Sequence, residues 1–117
     1  MSNYTKVSLE NAPRVELHDK LGLTGAEISV NTLPACECVP FIHSHKQNEE
    51  IYYVFSGSGK AVIDNEEIGL VAGDWLKVSP KAERQFFASK DNAISYICIQ
   101  TKENSLEEYT ANDAIVK

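Results

Sequence analysis

The chain has 117 residues, enough for one domain with a real core, and 43% of them are apolar or aromatic. Its net charge of −6, with lysines scattered rather than clustered, argues against a nucleic-acid partner, because such binding is dominated by phosphate contacts from Lys and Arg. No apolar run reaches the ~18 residues of a membrane span, and the polar opening MSNYTKVSLENAPRVELHDK has no apolar signal core, so no membrane partner is expected and the cytoplasm is the expected compartment.

Residues 1–25 read as an N-terminal strand or arm, with His18 at the surface among charges. AEISVNTL (26–33) reads as a strand. Cys36 and Cys38 follow as C-x-C. Three cysteines do not make a disulfide framework, and no second pair completes a zinc site, so Cys36 and Cys38 read as small buried hydrophobes. EIYYVF (50–55) is rich in aromatic and β-branched residues and predicts a second strand. SGSG (56–59) predicts a turn, and Asp64-Asn65 predicts a tight hairpin between KAVID and EEIGLV. AGD (72–74) turns the chain into the strand WLKVS. PKAE is a loop, RQFFA a strand, SKDN a turn and AISYICIQT (93–101) a long final strand with Cys98 in the core. The tail 102–117 predicts a short helix capped by Ser105, or a loose arm. Short β-rich runs punctuated at this interval predict an all-β sandwich or barrel.

The segment HSHKQNEEIYYVFSG (43–57) concentrates two of the three histidines beside two glutamates. On an extended segment, side chains two residues apart share a face, so His43 and His45 converge. Imidazole is the commonest metal ligand, and two histidines with one carboxylate make a facial triad with open positions. On the strand that follows, Glu50, Tyr52 and Val54 share one face, and Glu49, Ile51, Tyr53 and Phe55 share the other. H-x-H alone is a weak signal, since structural histidine pairs outnumber ligand pairs.

The order His43-x-His45, four residues, Glu50, six residues, Gly57 resembles the first sequence motif of the cupin superfamily. The hairpin AVIDNEEIGLVAGDW matches the spacer that leads to the second motif at Gly73-Asp74. The resemblance spans roughly residues 28–100 and implies one domain over 1–117, a jelly-roll β-barrel of cupin type. It implies His43, His45 and Glu50 as ligands of a divalent transition metal (Fe, Mn, Ni, Zn or Cu), with Glu50 rather than Glu49 turned inward.

The chain departs from the family pattern where the second motif places a histidine as fourth ligand. GDWLKVSPKAERQFF carries Arg84 there, and no histidine follows residue 45. Two readings of Arg84 compete. In one, the metal is held by three ligands and Arg84 lines the pocket as a clamp for an anionic ligand. In the other, Arg84 pairs with Glu50, and the barrel is a metal-free binding or sensing module. Hydrogen-bond reach between the two favours the second; Arg84 turned away favours the first. Tyr52 and Phe86 are expected to line the ligand pocket, and Cys38 its mouth. A metal-free epimerase-like barrel using His45 and Tyr52 ranks last. No catalytic residue is assigned, since one fold hosts many reactions. The face carrying Ile51, Tyr53 and Phe55 needs cover, which predicts a homodimer.

Overall fold

A computed structural model describes residues 2–117. The chain is nearly all antiparallel β: β1 (Arg14–Glu16), β2 (Glu27–Leu33), β3 (Asn48–Ile63), β4 (Glu66–Val71), β5 (Trp75–Val78), β6 (Arg84–Ala88) and β7 (Ile94–Lys102). One short helix, α1 (His18–Leu21), follows β1 and ends at Gly22 with φ +65°. The tail holds a single 3-10 turn at Thr110–Asn112, and residues 102–117 are exposed. The capped helix predicted after Ser105 is not formed. The segment buries nothing, and helices this short draw their stability from packing an apolar face.

β3 organises the barrel. Its first half pairs with β7 and β5, and its second half pairs with β4 and β6. One strand therefore belongs to both walls. The first wall runs β1-β2-β7-β3-β5, and the second places β3 between β4 and β6. The predicted SGSG turn is the bend in this strand. The register with β7 shifts between Val54 and Ser56, a bulge, and Gly57 follows at φ +79°. A Cβ on Gly57 would lie 1.8 Å from the carbonyl oxygen of Ala93, and one on Gly59 would lie 2.1 Å from that of Phe87. Both glycines let backbones approach rather than reverse the chain. The true reversal comes at Asp64 and Asn65, with φ 48° and 69°, as the hairpin reading predicted.

The core lies between the walls. Tyr52 and Tyr96 from the first wall meet Phe86 from the second, with ring centroids 4.3 Å (Tyr52–Phe86) and 4.9 Å (Phe86–Tyr96) apart. Val54, Ala61, Leu70, Val78 and Ile94 fill in around them. Glu50, Tyr52 and Val54 point inward, as the alternation required, while Glu49 is half-buried on the outer face.

The outer face of the first wall carries two apolar rows, flanked by polar residues such as Glu49, Lys77 and Thr101. Val15, Val30, Ile97, Tyr53 and Trp75 stand opposite one another in an unbroken row across five strands. Ile28, Ile99 and Ile51 form a second row beside it. In β2 the polarity is inverted: Ser29 and Asn31 are buried inside, and the β-branched residues lie outside.

Candidate metal centre and ligand cavity

The histidines arrive on an irregular segment clamped to its surroundings by backbone bonds. Val39 N–H donates to Phe86 O, His43 and Arg84 exchange both backbone bonds (3.2 and 3.0 Å), and His45 N–H donates to Pro80 O at 2.7 Å. This cross-strand pairing puts the His43 and Arg84 side chains next to each other. Glu50 comes from the start of β3, on the same inward face as Tyr52.

The three predicted ligands do converge. One donor atom from each of His43, His45 and Glu50 lies within 4.8 Å of the others. His45 Nε2 is 3.1 Å from Glu50 Oε2, and His43 Nε2 is 3.7 Å from Oε1. The histidines are half-buried, and Glu50 is 3% exposed.

The rest of the Glu50 carboxylate is surrounded by donors. Tyr52 donates a short hydrogen bond to Oε1, Arg84 Nη1 donates to the same oxygen at 3.3 Å, and the Cys98 thiol donates to Oε2 at 3.4 Å. Burial pushes the Glu50 carboxyl up, but the bond from Tyr52 and the nearby His45, Cys98 and Arg84 more than offset it, so its pKa lies below the ordinary value. Burial lowers His43, with Arg84 and His45 adding to the effect against the pull of Glu50. The His43 imidazole is therefore neutral at neutral pH, the form that ligates metals. Burial, then the neighbouring Cys98 and Glu50, raises Tyr52 far beyond its usual range, so it stays a donor. Burial and Glu50 likewise keep Cys98 a thiol.

Arg84 does not line the pocket, contrary to the anion-clamp expectation. It is fully buried, and its Nη2 donates to the carbonyls of Ser79 and Pro80. Arg84 shares the inward face of β6 with Phe86, but its guanidinium is engaged by the Glu50 carboxylate and the Ser79 and Pro80 carbonyls instead of facing the cavity. Cys38 does not line the cavity. The 34–38 segment is not a strand. Pro34 ends β2, Cys36 takes φ +70° in a turn, and both Cys36 and Cys38 are exposed rather than buried. Tyr52 and Phe86 do line the cavity.

That cavity has a volume of about 420 Å³ and opens above the triad. Its walls are apolar and aromatic (Leu33, Val39, Phe41, Phe86, Tyr96), and His43, His45 and Glu50 face into it. Sequence reasoning missed Cys98 as a neighbour of Glu50, and it missed Arg14, Ser29 and Asn31 as lining residues. The signal available was the pair of polar residues alternating with β-branched ones in EISVNTL, which without a fold reads as a solvent face.

Does a metal fit? Two imidazoles and a carboxylate are the right donor chemistry, and metal–ligand bonds near 2.1 Å need donors roughly 3 Å apart. The separations involving Glu50 are close to that. Tyr52 and Arg84 donate to Oε1 and Cys98 to Oε2, as outer-shell partners of a ligating carboxylate would, while His43 faces Oε1 and His45 faces Oε2. Against this, His43 Nδ1 is buried with no hydrogen-bond partner, and the guanidinium repels a nearby cation. The donor set fits a three-ligand centre, with Arg84 outside it.

A family model described as a cupin domain matches residues 32–100, more than half of the chain. The chain belongs to the cupin family. It is similar over 100% of its length to a crystal structure of a cupin protein from Bacteroides fragilis, at 56% identity, TM-score 0.97 and 99% coverage of that chain. More distant likenesses share the fold alone. A sugar phosphate isomerase of the cupin superfamily from Silicibacter pomeroyi matches at 22% identity and TM-score 0.67, over 77% of this chain and 60% of that one. A predicted oxalate decarboxylase from Thermotoga maritima matches at 19% identity and TM-score 0.60, over 64% of each chain. A protein of Methanocaldococcus jannaschii is 40% identical over 40 residues, 34% of this chain, and the match spans about a third (32%) of that relative. Among the described residues, no helix is long and apolar enough to cross a membrane.

Proposed function

We propose that this chain binds a divalent transition metal through His43, His45 and Glu50, and a small organic ligand in the cavity above them. One observation carries the reading: three donors of the right chemistry converge and line one cavity, with the Glu50 carboxylate held in place by Tyr52, Arg84 and Cys98. When bound, such an ion supplies a Lewis acid with open positions. The chain's own residues orient and shield. Tyr52, Arg84 and Cys98 fix the rotamer of Glu50, and the aromatic walls exclude water from the ligand. The reactions of the distant likenesses, sugar phosphate isomerisation and oxalate decarboxylation, are the classes to screen first.

A second reading has its own observation. Arg84 lies within hydrogen-bond reach of Glu50, at 3.3 Å, which favours a metal-free binding barrel. Against it, Arg84 is buried behind the carboxylate, whereas the three ligands face the cavity. Elemental analysis of tag-free protein purified without chelator, beside a His43→Ala/His45→Ala variant, separates the two. Near-stoichiometric metal in the parent and none in the variant supports the first reading; no uptake of any offered ion establishes the second.

The reading extends to a cytoplasmic homodimer. The continuous apolar row on the outer wall supports the dimer, because Trp75 at its end is 65% exposed.

A further inference from the structure

With Arg84 buried behind Glu50, the cavity needs another explanation for any anion it takes. Arg14 is the one lysine or arginine among the described residues that line it. It stands on β1 opposite Asn31, and its Nη1 donates to Asn31 Oδ1 at 2.7 Å. Asn31 is 5% exposed and is itself fixed, since its amide donates to Ser29 Oγ at 2.9 Å; Ser29 is 3% exposed. A buried amide and hydroxyl thus hold a guanidinium at the cavity lip, with about half of its side chain (55%) open to solvent. Among the described residues its only acidic partner is Glu16 at 3.9 Å, which is itself 60% exposed, a pair of small net worth.

Charge accounting points the same way. Glu50, the carboxylate in the cavity, is already paired with Arg84. Arg14 is left as the charge without a buried counterpart. Its field is felt inside: burial pushes Tyr96 up to about 12, and Arg14 pulls against that rise, as it does at Cys98. Asn31 and Glu50 sit on strands separated by β7, two strand spacings of ~4.8 Å each, so the two polar ends of the cavity are well apart. Between them lie Tyr96, Phe86 and other apolar walls.

We propose that Arg14, positioned by Asn31 and Ser29, binds the anionic group of a small organic acid whose apolar body lies along the aromatic wall, with the opposite end of the ligand facing His43, His45 and Glu50. This rests on the cavity being a ligand site, as proposed above, but not on a metal being there. A guanidinium presents two parallel donors to a carboxylate, which gives both affinity and direction.

The test is isothermal titration of the full chain, stripped of metal by chelator and dialysed, with 3-phenylpropanoate and its neutral isostere 3-phenylpropanamide. Both have an apolar body small enough for the cavity. The expected result is at least tenfold tighter binding of the acid. Arg14→Gln removes that preference, and Arg14→Glu reverses it. Both variants should fold, because about half of the side chain is open to solvent, and unchanged circular dichroism verifies it. His43→Ala/His45→Ala keeps the preference within threefold. The proposal is overturned if neither probe binds, if acid and amide bind alike, if Arg14→Gln keeps the preference, or if the double histidine variant loses it as fully as Arg14→Gln does. The last outcome would put the anion at the triad and leave the metal reading standing. Metal content, measured separately, decides that reading by itself.

Discussion

At the scale of single residues, Glu50 is the most constrained group in the molecule. Five side chains converge on its carboxylate, and among the described residues the fully buried Arg84 has no other carboxylate partner. Removing one member of a buried pair leaves an uncompensated charge, at a cost of about 3–5 kcal/mol. Arg84→Ala and Glu50→Ala should each lose about that much in chemical denaturation, and the paired replacement Glu50→Gln/Arg84→Met should lose much less. A cost below about 1 kcal/mol for either single change would mean the pair is not formed. The pH response has a definite sign. Both Glu50 and His43 have folded values below their ordinary ones, so the unfolded chain binds more protons. Their stabilisation is complete above 6.5 for His43 and above 4.5 for Glu50, and it is lost as pH falls through the folded values. Chelator-treated protein should therefore lose stability in two stages on acidification. His43→Ala should remove the upper stage, and a flat profile from pH 7 to 5 in the parent would contradict the assignment.

At the scale of elements, β3 carries the architecture because it crosses from one wall to the other. The crossing depends on Gly57, which combines φ +79° with a close carbonyl, and on Gly59, which packs against the Phe87 backbone. A side chain at either place must push backbone apart. Gly57→Ala and Gly59→Ala should each destabilise by at least about 2–3 kcal/mol, while Gly69→Ala, with nothing within 4 Å of the added Cβ, should stay within about 1 kcal/mol of the parent. Equal midpoints for all three in denaturant titrations would overturn the account of the bend. The tail behaves oppositely. Residues 103–117 are exposed, so deletion of 108–117 should move the thermal midpoint by no more than ~2 °C.

At the scale of the whole molecule, the first wall carries apolar rows on its outer face as well as apolar residues in the core. The first wall turns Ser29, Asn31, Cys98 and Glu50 inward, toward a cavity, beside the core residues Val54, Val78 and Ile94, and turns Val15, Val30, Ile28, Ile51, Ile97, Ile99, Tyr53 and Trp75 outward. Tyr53 and Trp75 stack at 4.4 Å, which widens the flat apolar end of the row. Light scattering at micromolar concentration should give twice the 13.0 kDa chain mass. Ile97→Lys, at the centre of the row, should shift the protein to monomer with its strand signal in circular dichroism intact. A monomeric parent would remove the dimer from the proposal.

Residue order alone determined the family, the strand periods and the three candidate ligands. These are local quantities. H-x-H puts two imidazoles on one face, alternation in β3 turns Glu50 inward with Tyr52, and Asp64-Asn65 closes a two-residue hairpin, all within a few residues of chain. The expected SGSG turn failed because a glycine marks both a reversal and a bend where two backbones approach, and only the partner strand distinguishes them. Cys36 and Cys38 were misread for a related reason: C-x-C looks like a strand face until Pro34 and the positive φ of Cys36 break it. The roles of the two arginines were decided by tertiary structure alone. Arg84 is 34 residues from Glu50, and Arg14 is 17 from Asn31. Burial and partner choice at such separations depend on which strands pair and in what register. A shift of one residue in either strand would turn these side chains to the opposite face, and no pattern within a strand records that choice.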